Sequence, residues 1–596
     1  MNSTIEQFLS AAVDQQLAGN EEAASGLYNR VLAINPNNIT ALVNKSAILI
    51  EHQNYIDAKL LLEKAIKIAP KDVEALNNYG NVLKELGEPN NSIAQFQLAH
   101  EIKPNNSIIS SNLGRALLRR GDYKSAIQIL ESAIKFNPSD SGLRFINALA
   151  LPIIPENLNQ LEDARKRQHA LIDDLLTDNL KLTDPLAEIG MTNFISAYQG
   201  FDDYDIQKKL ATCYQFACSK LNYIAPHIGQ KRKNGKIRIG FISAHFGNHT
   251  IAKLNYSLIS SLNKNKFELH LFCLGANKRS KDQTLERFVN NVDKISFPNS
   301  TLNHMQSTIS KAELDLVYYT DIGMEPLSYF LGFSRLAPVQ CVTWGHPIST
   351  GISTIDYFIS SELTELATSN PQYTEKLLRL NCFSTDYVRP NKPNLKKSRA
   401  DFKLKEETHL YICPQSLFKF HPDFDEILAS ILRADLYGEI ILIEGQHQDW
   451  DIRLKSRFKE RLPDVASRIK FLPRLSRLDF LEFVSLADVI LATPHFCGGN
   501  TSYEAFSLGK IVVTLPSKFL RGRLTLGLYR QMGIDMLIAR NAEEYVKIAV
   551  KYGRNKQARD SIETLIRKAQ KAIFGTKTSI LAHEKFFLEV TKVDNC

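Results

Sequence analysis

The sequence predicts an α-helical repeat array followed by an α/β region built on two parallel sheets. Four prolines, at 36, 70, 104 and 138, are separated by 34 residues each. From residue 236 onward, short β-branched runs alternate with helical patterns, which is typical of parallel sheets covered by helices. We therefore expect about four helical repeats in 1–140, a helical joint in 141–235, a first α/β half in 236–395, and a second half with a C-terminal helix in 396–596.

Other positions of the array repeat with the same period. Large core residues lie eight positions before the prolines, and mostly small ones lie five before: Tyr28, Leu62, Phe96 and Leu130, then Val31, Ala65, Ala99 and Ala133. A 34-residue period is that of the tetratricopeptide repeat, whose helix pairs stack into a superhelix with a concave groove. We expect this groove to bind proteins or peptides. The last helix of the chain, 579–591, is expected to pack back across the joint.

Composition, apolar runs and cysteine spacing limit the class of protein to which the chain can belong. Of the 596 residues, 44% are hydrophobic and 23% charged, as in soluble globular chains. No apolar run is long enough to span a bilayer, and the amino-terminal stretch lacks the pattern of a signal peptide. The eight cysteines are scattered without a C-x-x-C pair, so neither a zinc site nor a disulfide framework is indicated, and a reducing, cytoplasmic setting is expected. The basic run at 230–236 lacks interleaved aromatics, so nucleic acid is not an expected partner.

The stretch 484–516 organises the second half. Two buried strands, 489–491 and 511–513, flank a glycine turn and a short helix predicted at 503–508. We expect the polar residues after the glycines to supply cap oxygens and free N–H groups, and such a helix start is an anion site. Glu504 is placed to accept hydrogen bonds from a sugar or ribose hydroxyl. From these residues alone, an ordinary capped helix is an equal alternative. The turn and helix start are Gly498, Gly499, Asn500, Thr501 and Ser502.

The segment GGNTSYEAFSLGKIVVTLP resembles the donor-nucleotide loop of the O-GlcNAc transferase and SPINDLY group, glycosyltransferase family 41, above all its bacterial branch. The motif F-G-N-H, which ends in His249, resembles the family loop whose histidine faces the donor and the acceptor. The run APVQ…TWGHP…TG matches the family at Gly345, His346 and Pro347, whose glycines would let the backbone approach the sugar and its phosphates. After the strand at 409–413, Lys419 matches the lysine that contacts the nucleotide diphosphate, and Gln415 fits a nucleotide contact. His245 lies outside the family pattern.

The resemblance implies a GT-B fold of two Rossmann-like halves and a direct inverting displacement without a metal. Its catalytic residues would be His249 and Lys419, and the acceptor proton would go to His249 or to a donor phosphate oxygen. Two arginines, Arg521 and Arg523, could touch phosphate or be solvated. In the repeats, the period places an amide eight residues after each of the first three prolines. These residues resemble the asparagine ladder that holds acceptor backbones in O-GlcNAc transferases, and they are Asn44, Asn78 and Asn112.

The expected function is transfer of N-acetylglucosamine from UDP-GlcNAc to Ser or Thr hydroxyls of proteins held by the repeat groove. UDP-GlcNAc is favoured over GDP-fucose as the donor, and no metal or other cofactor is expected. Fucosyl transfer from GDP-fucose and hexosyl transfer to Asn are alternatives on the same fold. A scaffold with a degenerate transferase half is an alternative of another class, and retention of His249, Lys419, Thr501 and Glu504 together argues against it. The oligomeric state is left open.

Overall fold

The computed structural model describes residues 2–232, 234–275, 282–391 and 396–592. Lys233 of the basic run, the predicted boundary residue 395 and Cys596 lie outside the described residues. The chain divides into two compact units, Met1–Ala150 and Leu151–Cys596. The first unit continues past the predicted end of the repeats at 140, because a ninth helix packs on the last helix pair. The predicted boundaries at 235 and 395 stay predictions.

The first unit is a stack of helix pairs. Residues eight and five positions before each repeat proline are almost completely buried between the two helices of their pair, as their 34-residue recurrence predicts. Gly80 and Gly114 lie where an added Cβ would come within 2.5 Å of Phe96 and 2.7 Å of Leu130, respectively. The helices are α1 Asn2–Leu17, α2 Glu21–Ile34, α3 Ile39–Glu51, α4 Tyr55–Ile68, α5 Val73–Glu85, α6 Pro89–Ile102, α7 Ser107–Arg120, α8 Tyr123–Phe136 and α9 Ser141–Ala148.

The turns of the array repeat as regularly as its core. Two residues after each repeat proline, an Asn or Asp side chain accepts a hydrogen bond from the backbone N–H three residues on and so caps the next helix. These caps are Asn38, Asp72, Asn106 and Asp140. Within the pairs, three turns use a glycine at positive φ, and the remaining one uses Gln53 at φ 58°. Both helix ends of each repeat are therefore fixed by local chemistry.

The second unit begins with helices α10 Leu158–Thr177, α11 Pro185–Glu188 and α12 Tyr204–Ala217. A seven-stranded parallel sheet follows, in the order β3-β2-β1-β4-β5-β6-β7. Its strands are β1 Ile237–Ser243, β2 Phe267–Cys273, β3 Lys294–Ser296, β4 Leu316–Tyr319, β5 Val339–Thr343, β6 Tyr357–Ser361 and β7 Lys376–Leu380. Its helices are α13 Thr250–Ser261, α14 Gln283–Val289, α15 Leu302–Ser310 and α16 Pro326–Leu331. This sheet is the first α/β half.

The second half is a five-stranded parallel sheet in the order β10-β9-β8-β11-β12. Its strands are β8 His409–Cys413, β9 Gly438–Ile443, β10 Ile469–Leu472, β11 Val489–Leu491 and β12 Val512–Val513. Its helices are α17 Phe424–Ala434, α18 Gln448–Arg461, α19 Arg477–Ser485, α20 Asn500–Ser507, α21 Leu524–Met532, α22 Ala542–Arg554 and α23 Lys556–Ala569. Because β8 and β11 are parallel neighbours, the loops at their carboxyl ends lie side by side.

The last helix, α24 Thr578–Val590, packs on the sheet of the first half. Phe587 is fully buried in the same cluster as Phe267 and Tyr318, and the Glu584 carboxylate accepts a hydrogen bond of 2.7 Å from the backbone N–H of Asn263. The prediction that this helix packs across the joint at 141–235 was therefore wrong. Its apolar face matches the outer side of the first sheet.

No helix among the described residues is both long and apolar enough to cross a membrane.

Candidate functional site

A chain of hydrogen bonds joins the loops after β8 and β11. The Lys419 ammonium donates to Gln415 Oε1 at 2.9 Å, and Gln415 Nε2 donates to Thr501 Oγ1 at 2.8 Å. The Lys419 Nζ also lies 4.6 Å from the centroid of the Phe496 ring, in cation–π contact. The structure thus brings together three residues that the sequence assigns to donor binding.

Lys419 is the cation of this site. Burial lowers its pKa to about 8, and the neighbouring thiols of Cys497 and Cys413 oppose this shift. The side chain is half-buried and has no carboxylate within salt-bridge distance among the described residues. An ammonium group held this way has charge available for an anionic ligand.

The glycine turn is required by the close approach of three side chains. A Cβ at Gly498 would come within 2.2 Å of Thr501 Oγ1 and 2.9 Å of Gln415 Nε2. Helix α20 then begins at Asn500, three residues earlier than predicted, with Gly499 as its N-cap. In the described part of the chain, the backbone N–H groups of Asn500 and Thr501 donate to no protein acceptor. Two free N–H groups at a helix start are a site for an anion.

The side chains at this helix start do not cap it, and the prediction that they supply cap oxygens was wrong. Ser502 Oγ donates to the Gly498 carbonyl at 2.8 Å, and Thr501 Oγ1 is the acceptor for Gln415. Asn500 Oδ1 accepts from the hydroxyl of Tyr387. The sequence could not show the bonds of Thr501 and Asn500, because their partners Gln415 and Tyr387 come from other loops.

His249 lies at the start of the first half's helix α13 and is its N-cap. The ring Nδ1 accepts a hydrogen bond of 3.2 Å from the backbone N–H of Ile251. An accepting Nδ1 carries no proton, so the neutral ring has its proton on Nε2. Burial, reinforced by His245 and Lys253, lowers the His249 pKa to about 4. Near neutral pH, His249 is therefore an uncharged ring that presents an Nε2–H donor.

An ion pair links the helix of His249 to the donor helix. Lys253, one turn into α13, has its Nζ 3.9 Å from Glu504 Oε1 on α20. Burial raises the pKa of Glu504 and lowers the pKa of Lys253, and each charge opposes the shift of the other. Glu504 is 4% exposed, so its carboxylate is surrounded by protein. The sequence predicted that this carboxylate accepts hydrogen bonds from a sugar or ribose hydroxyl. That predicted contact with a sugar or ribose stays a prediction.

Gly345 of the T-W-G-H-P segment and Gly351, six residues later, both meet protein atoms. A Cβ at Gly345 would lie 2.0 Å from the Thr320 carbonyl oxygen, and one at Gly351 would lie 2.2 Å from the Gln207 carbonyl oxygen. These close main-chain contacts explain why glycine stands at both positions. The predicted approach of this segment to the sugar and its phosphates stays a prediction. Trp344 faces the donor loop instead: a Cβ at Gly499 would lie 3.1 Å from its ring.

His346 and Pro347 are buried. The His346 ring is 2% exposed, stacks on Phe194 at 5.5 Å, and has its pKa lowered by burial to about 4. Donor contacts by these two residues stay predictions. Arg521 and Arg523 do not face a phosphate site: Arg521 pairs with Asp203 at 3.2 Å, and Arg523 Nε donates to the Thr364 carbonyl at 2.5 Å.

The predicted asparagines of the repeat array have different surroundings. Asn44 Nδ2 donates to the Tyr28 hydroxyl at 3.1 Å, and Asn112 Nδ2 donates to Asn77 Oδ1 at 2.8 Å. Asn112 is 9% exposed, whereas Asn78 is half-buried and its side chain makes no hydrogen bond to the described residues. Asn78 is therefore the member of the series with its whole amide available.

Sequence reasoning missed Lys253 and Phe496 and gave Trp344 no separate role. Lys253 lies four residues after His249, so helical spacing alone places the two residues on the same side of α13. Phe496 lies just before the glycine turn, but nothing in the sequence indicates a ring beneath Lys419.

Two facing parallel-sheet halves with a cation and a helix start in one crevice define a GT-B glycosyltransferase architecture. The glycosyl transferase family 41 model matches residues 215–388 and 384–581, and tetratricopeptide repeat models match 61–94 and 83–144. These matches cover more than half of the chain, and the chain belongs to glycosyl transferase family 41.

Several known proteins are similar to the chain. It is 25% identical over 357 residues to a probable UDP-N-acetylglucosamine–peptide N-acetylglucosaminyltransferase SEC of Arabidopsis thaliana, covering 57% of this chain and 35% of the relative. It is 24% identical over 340 residues to a UDP-glucose:protein N-beta-glucosyltransferase of Actinobacillus pleuropneumoniae, covering 56% and 53%. The matches thus span between a third and about half of these relatives.

A solved structure shares the fold. A mutant of the Thermobaculum terrenum O-GlcNAc transferase superposes with a TM-score of 0.70 at 20% identity, over 92% of this chain and 96% of that one. This likeness confirms the predicted fold class of helical repeats followed by a parallel-sheet transferase region.

The link between the two halves gives a first prediction. The buried Glu504 carboxylate has a raised pKa, so its ionisation costs folding free energy as pH rises through that value, and Lys253 offsets part of this cost. We expect Lys253→Met to lower the free energy of unfolding by about 1–3 kcal/mol at about pH 8 and by less at about pH 5. Urea unfolding at both pH values measures this difference.

The matched control is Lys547→Met, which removes a 2.6 Å pair with Glu543 between two largely exposed side chains. It should leave the free energy of unfolding nearly unchanged at either pH, because exposed ion pairs are screened by solvent. An equal loss in both variants, or no pH dependence for Lys253→Met, would show that the cross-half pair contributes nothing specific.

Proposed function

We propose that the chain is an inverting protein glycosyltransferase, which moves a sugar from a nucleotide diphosphate to a side chain of a protein bound by the repeats. The observation that carries this proposal is the Lys419–Gln415–Thr501 chain beside the free N–H groups of α20. A charged donor next to a helix start suits the diphosphate of a nucleotide sugar. Family membership and the printed activities of the relatives support the reaction type.

UDP-N-acetylglucosamine is the favoured donor. The similar plant proteins are named for UDP-N-acetylglucosamine and the similar bacterial protein for UDP-glucose, so a UDP sugar is favoured over GDP-fucose. Transfer of glucose to an amide nitrogen is the second candidate, because the bacterial relative is named as an N-glucosyltransferase. We place the reaction in the cytoplasm, where the seven described cysteines, all free thiols, would remain reduced.

Departure of the nucleotide diphosphate places negative charge on the phosphate next to the anomeric carbon. The Lys419 ammonium and the N–H groups of Asn500 and Thr501 are donors already in position to stabilise that charge. This arrangement supplies positive charge from the protein itself, and we propose that the displacement requires no metal ion. Gln415 holds both Lys419 and Thr501, so it positions the two donors relative to one another.

The role of His249 follows from its tautomer. With Nδ1 accepting from Ile251, the ring could take the acceptor proton on Nδ1 only by losing the helix cap. We propose that the Nε2–H of His249 donates to an oxygen of the sugar or acceptor, and that the acceptor proton passes to a donor phosphate oxygen. The sequence left these two proton acceptors open.

Lys419→Met should lower turnover with the correct nucleotide sugar by about 10²–10³-fold, since it removes a preorganised charge from the leaving phosphate. The melting temperature should not fall, because a lysine with a depressed pKa gains little from its surroundings. The assay is transfer from radiolabelled UDP-GlcNAc, UDP-glucose and GDP-fucose to a mixture of acceptor proteins.

Lys455→Met is the matched control, because Lys455 also lies 4.6 Å above a ring, that of Phe471, but outside the site. It should retain full transfer. Transfer by Lys419→Met within a few-fold of the parent would contradict the proposed role of this lysine, and no transfer by the parent from any donor would favour the scaffold.

His249→Asn should retain the helix cap, because an asparagine oxygen accepts the same backbone N–H, while losing the Nε2–H donor. We expect transfer to fall by about 10²-fold with the melting temperature nearly unchanged. The pH profile of kcat/KM should run parallel to that of the parent between about pH 5 and 8, since a ring with a pKa near 4 does not titrate there. A variant whose rate instead climbed steadily with pH would identify His249 as the base.

The acceptor is proposed to lie along the repeat groove, with Asn78 bonding its backbone. Asn78→Ala should raise KM for a protein acceptor by about tenfold, which corresponds to one or two hydrogen bonds of about 1 kcal/mol. Hydrolysis of the nucleotide sugar without acceptor should not change. Asn90→Ala is the control, an exposed asparagine on α6. Equal effects of the two substitutions would exclude a specific role for Asn78.

A further inference from the structure

A second cluster of ligand-type side chains lies next to the donor loops. His421 and Asp423 end the loop after β8, and His495 comes from the loop after β11. His421 Nδ1 lies 2.7 Å from Asp423 Oδ1, and His495 Nε2 lies 2.7 Å from Asp423 Oδ2. The two imidazole rings are 4.2 Å apart between centroids, and the three ligand atoms lie within 4.8 Å of one another. The function proposed above does not use these residues.

The cluster is reachable from solvent on one side. The Asp423 side chain is 45% exposed and that of His495 is 21% exposed, whereas that of His421 is only 7% exposed. Asp423 and His495 also line a cavity of about 730 Å³ beside α17 and α22. An ion could therefore enter past the Asp423 carboxylate and bind the His421 imidazole, which is fixed in the protein interior.

The surrounding charges do not prevent cation binding. Arg457, a buried cation that also donates to the Phe420 carbonyl, is held by Asp425 at 2.8 Å, and Arg461 pairs with the same carboxylate at 3.2 Å. The Asp423 carboxylate makes its side-chain hydrogen bonds to the two imidazoles only, among the described residues. Its negative charge is thus available to a cation that the two histidines could share.

We propose that His421, Asp423 and His495 bind one divalent transition-metal ion of the zinc class. Two imidazole nitrogens and one carboxylate are ligands that zinc prefers, and three protein ligands leave a fourth position for water. Zinc bonds of about 2.0–2.1 Å place tetrahedral ligand atoms roughly 3.3 Å apart. The two 2.7 Å contacts would open toward this value, and the imidazole nitrogens, at most 4.8 Å apart, would move to it, while the metal replaces the shared protons.

The position of the ion gives it a consequence for the donor site. His421 follows Lys419 by two residues, and His495 directly precedes Phe496, whose ring lies beneath the Lys419 ammonium. A bound ion would link the loop that carries the cation to the loop that leads into the glycine turn. The site is structural and lies beside the proposed reaction, which needs no metal. Sequence spacing does not indicate it, since Asp423 and His495 are 72 residues apart.

The test is metal binding by the full chain after removal of bound metal with a chelator. Titration with Co²⁺ should give the intense visible absorption of a four-coordinate ion at one equivalent, and Zn²⁺ should displace it. His495→Gln and Asp423→Asn should each weaken binding by at least about tenfold. Loss of a group that only hydrogen-bonds a metal ligand already lowers metal affinity by about that factor, and loss of a ligand should lower it more. His409→Gln is the control, because His409 Nδ1 lies 2.8 Å from one carboxylate, that of Asp435, and this substitution should leave Co²⁺ binding intact.

Two results would overturn the proposal. One is the absence of a stoichiometric Co²⁺ or Zn²⁺ complex in the parent chain. The other is equal affinity in the parent and in both site variants, which would place the metal elsewhere. A lower melting temperature of metal-free His495→Gln with no metal bound by the parent would identify the cluster as a hydrogen-bonded network only.

Discussion

The hydrogen bond from Gln415 to Thr501 is the interaction on which the candidate site depends. It joins loops that lie 86 residues apart in the chain and holds Lys419 beside the start of α20. The bond is possible because β8 and β11 are parallel neighbours and because Gly498 leaves room for both side chains. The order of the strands, the missing Cβ at Gly498 and the Gln415 side-chain amide together produce a compact cationic site.

The first half completes this site through contacts that close the crevice. Lys253 reaches Glu504, and the Trp344 ring covers Gly499, so the donor loop is held from the opposite sheet. His249 caps the helix that carries Lys253. The orientation of the His249 ring therefore depends on the helix that makes the Lys253–Glu504 contact. The proposed donor and acceptor groups are therefore positioned by one set of contacts between the halves.

Sequence reasoning succeeded where the signal is local or periodic. The 34-residue period placed the buried columns of the repeats, and the strands predicted at 409–413, 489–491 and 511–513 agree with β8, β11 and β12 to within one residue. It failed where a residue's partner comes from a distant segment. The sequence does not show that Gly345 and Gly351 approach the main chain at Thr320 and Gln207. The sequence leaves Arg521 and Arg523 as phosphate contacts or solvated groups, yet both bond protein groups. Lys253 and Phe496 have no motif, and two predicted cap residues of α20, Asn500 and Thr501, bond other loops.

The central claim is that a nucleotide diphosphate binds between Lys419 and the start of α20. Hydrogen–deuterium exchange of the full chain, with and without UDP, tests it most directly, because the two free N–H groups are backbone amides. The account predicts slower exchange in 414–420 and 498–503 on addition of UDP, with the repeats unchanged. Protection confined to other segments, or none at a UDP concentration that raises the melting temperature, would contradict it.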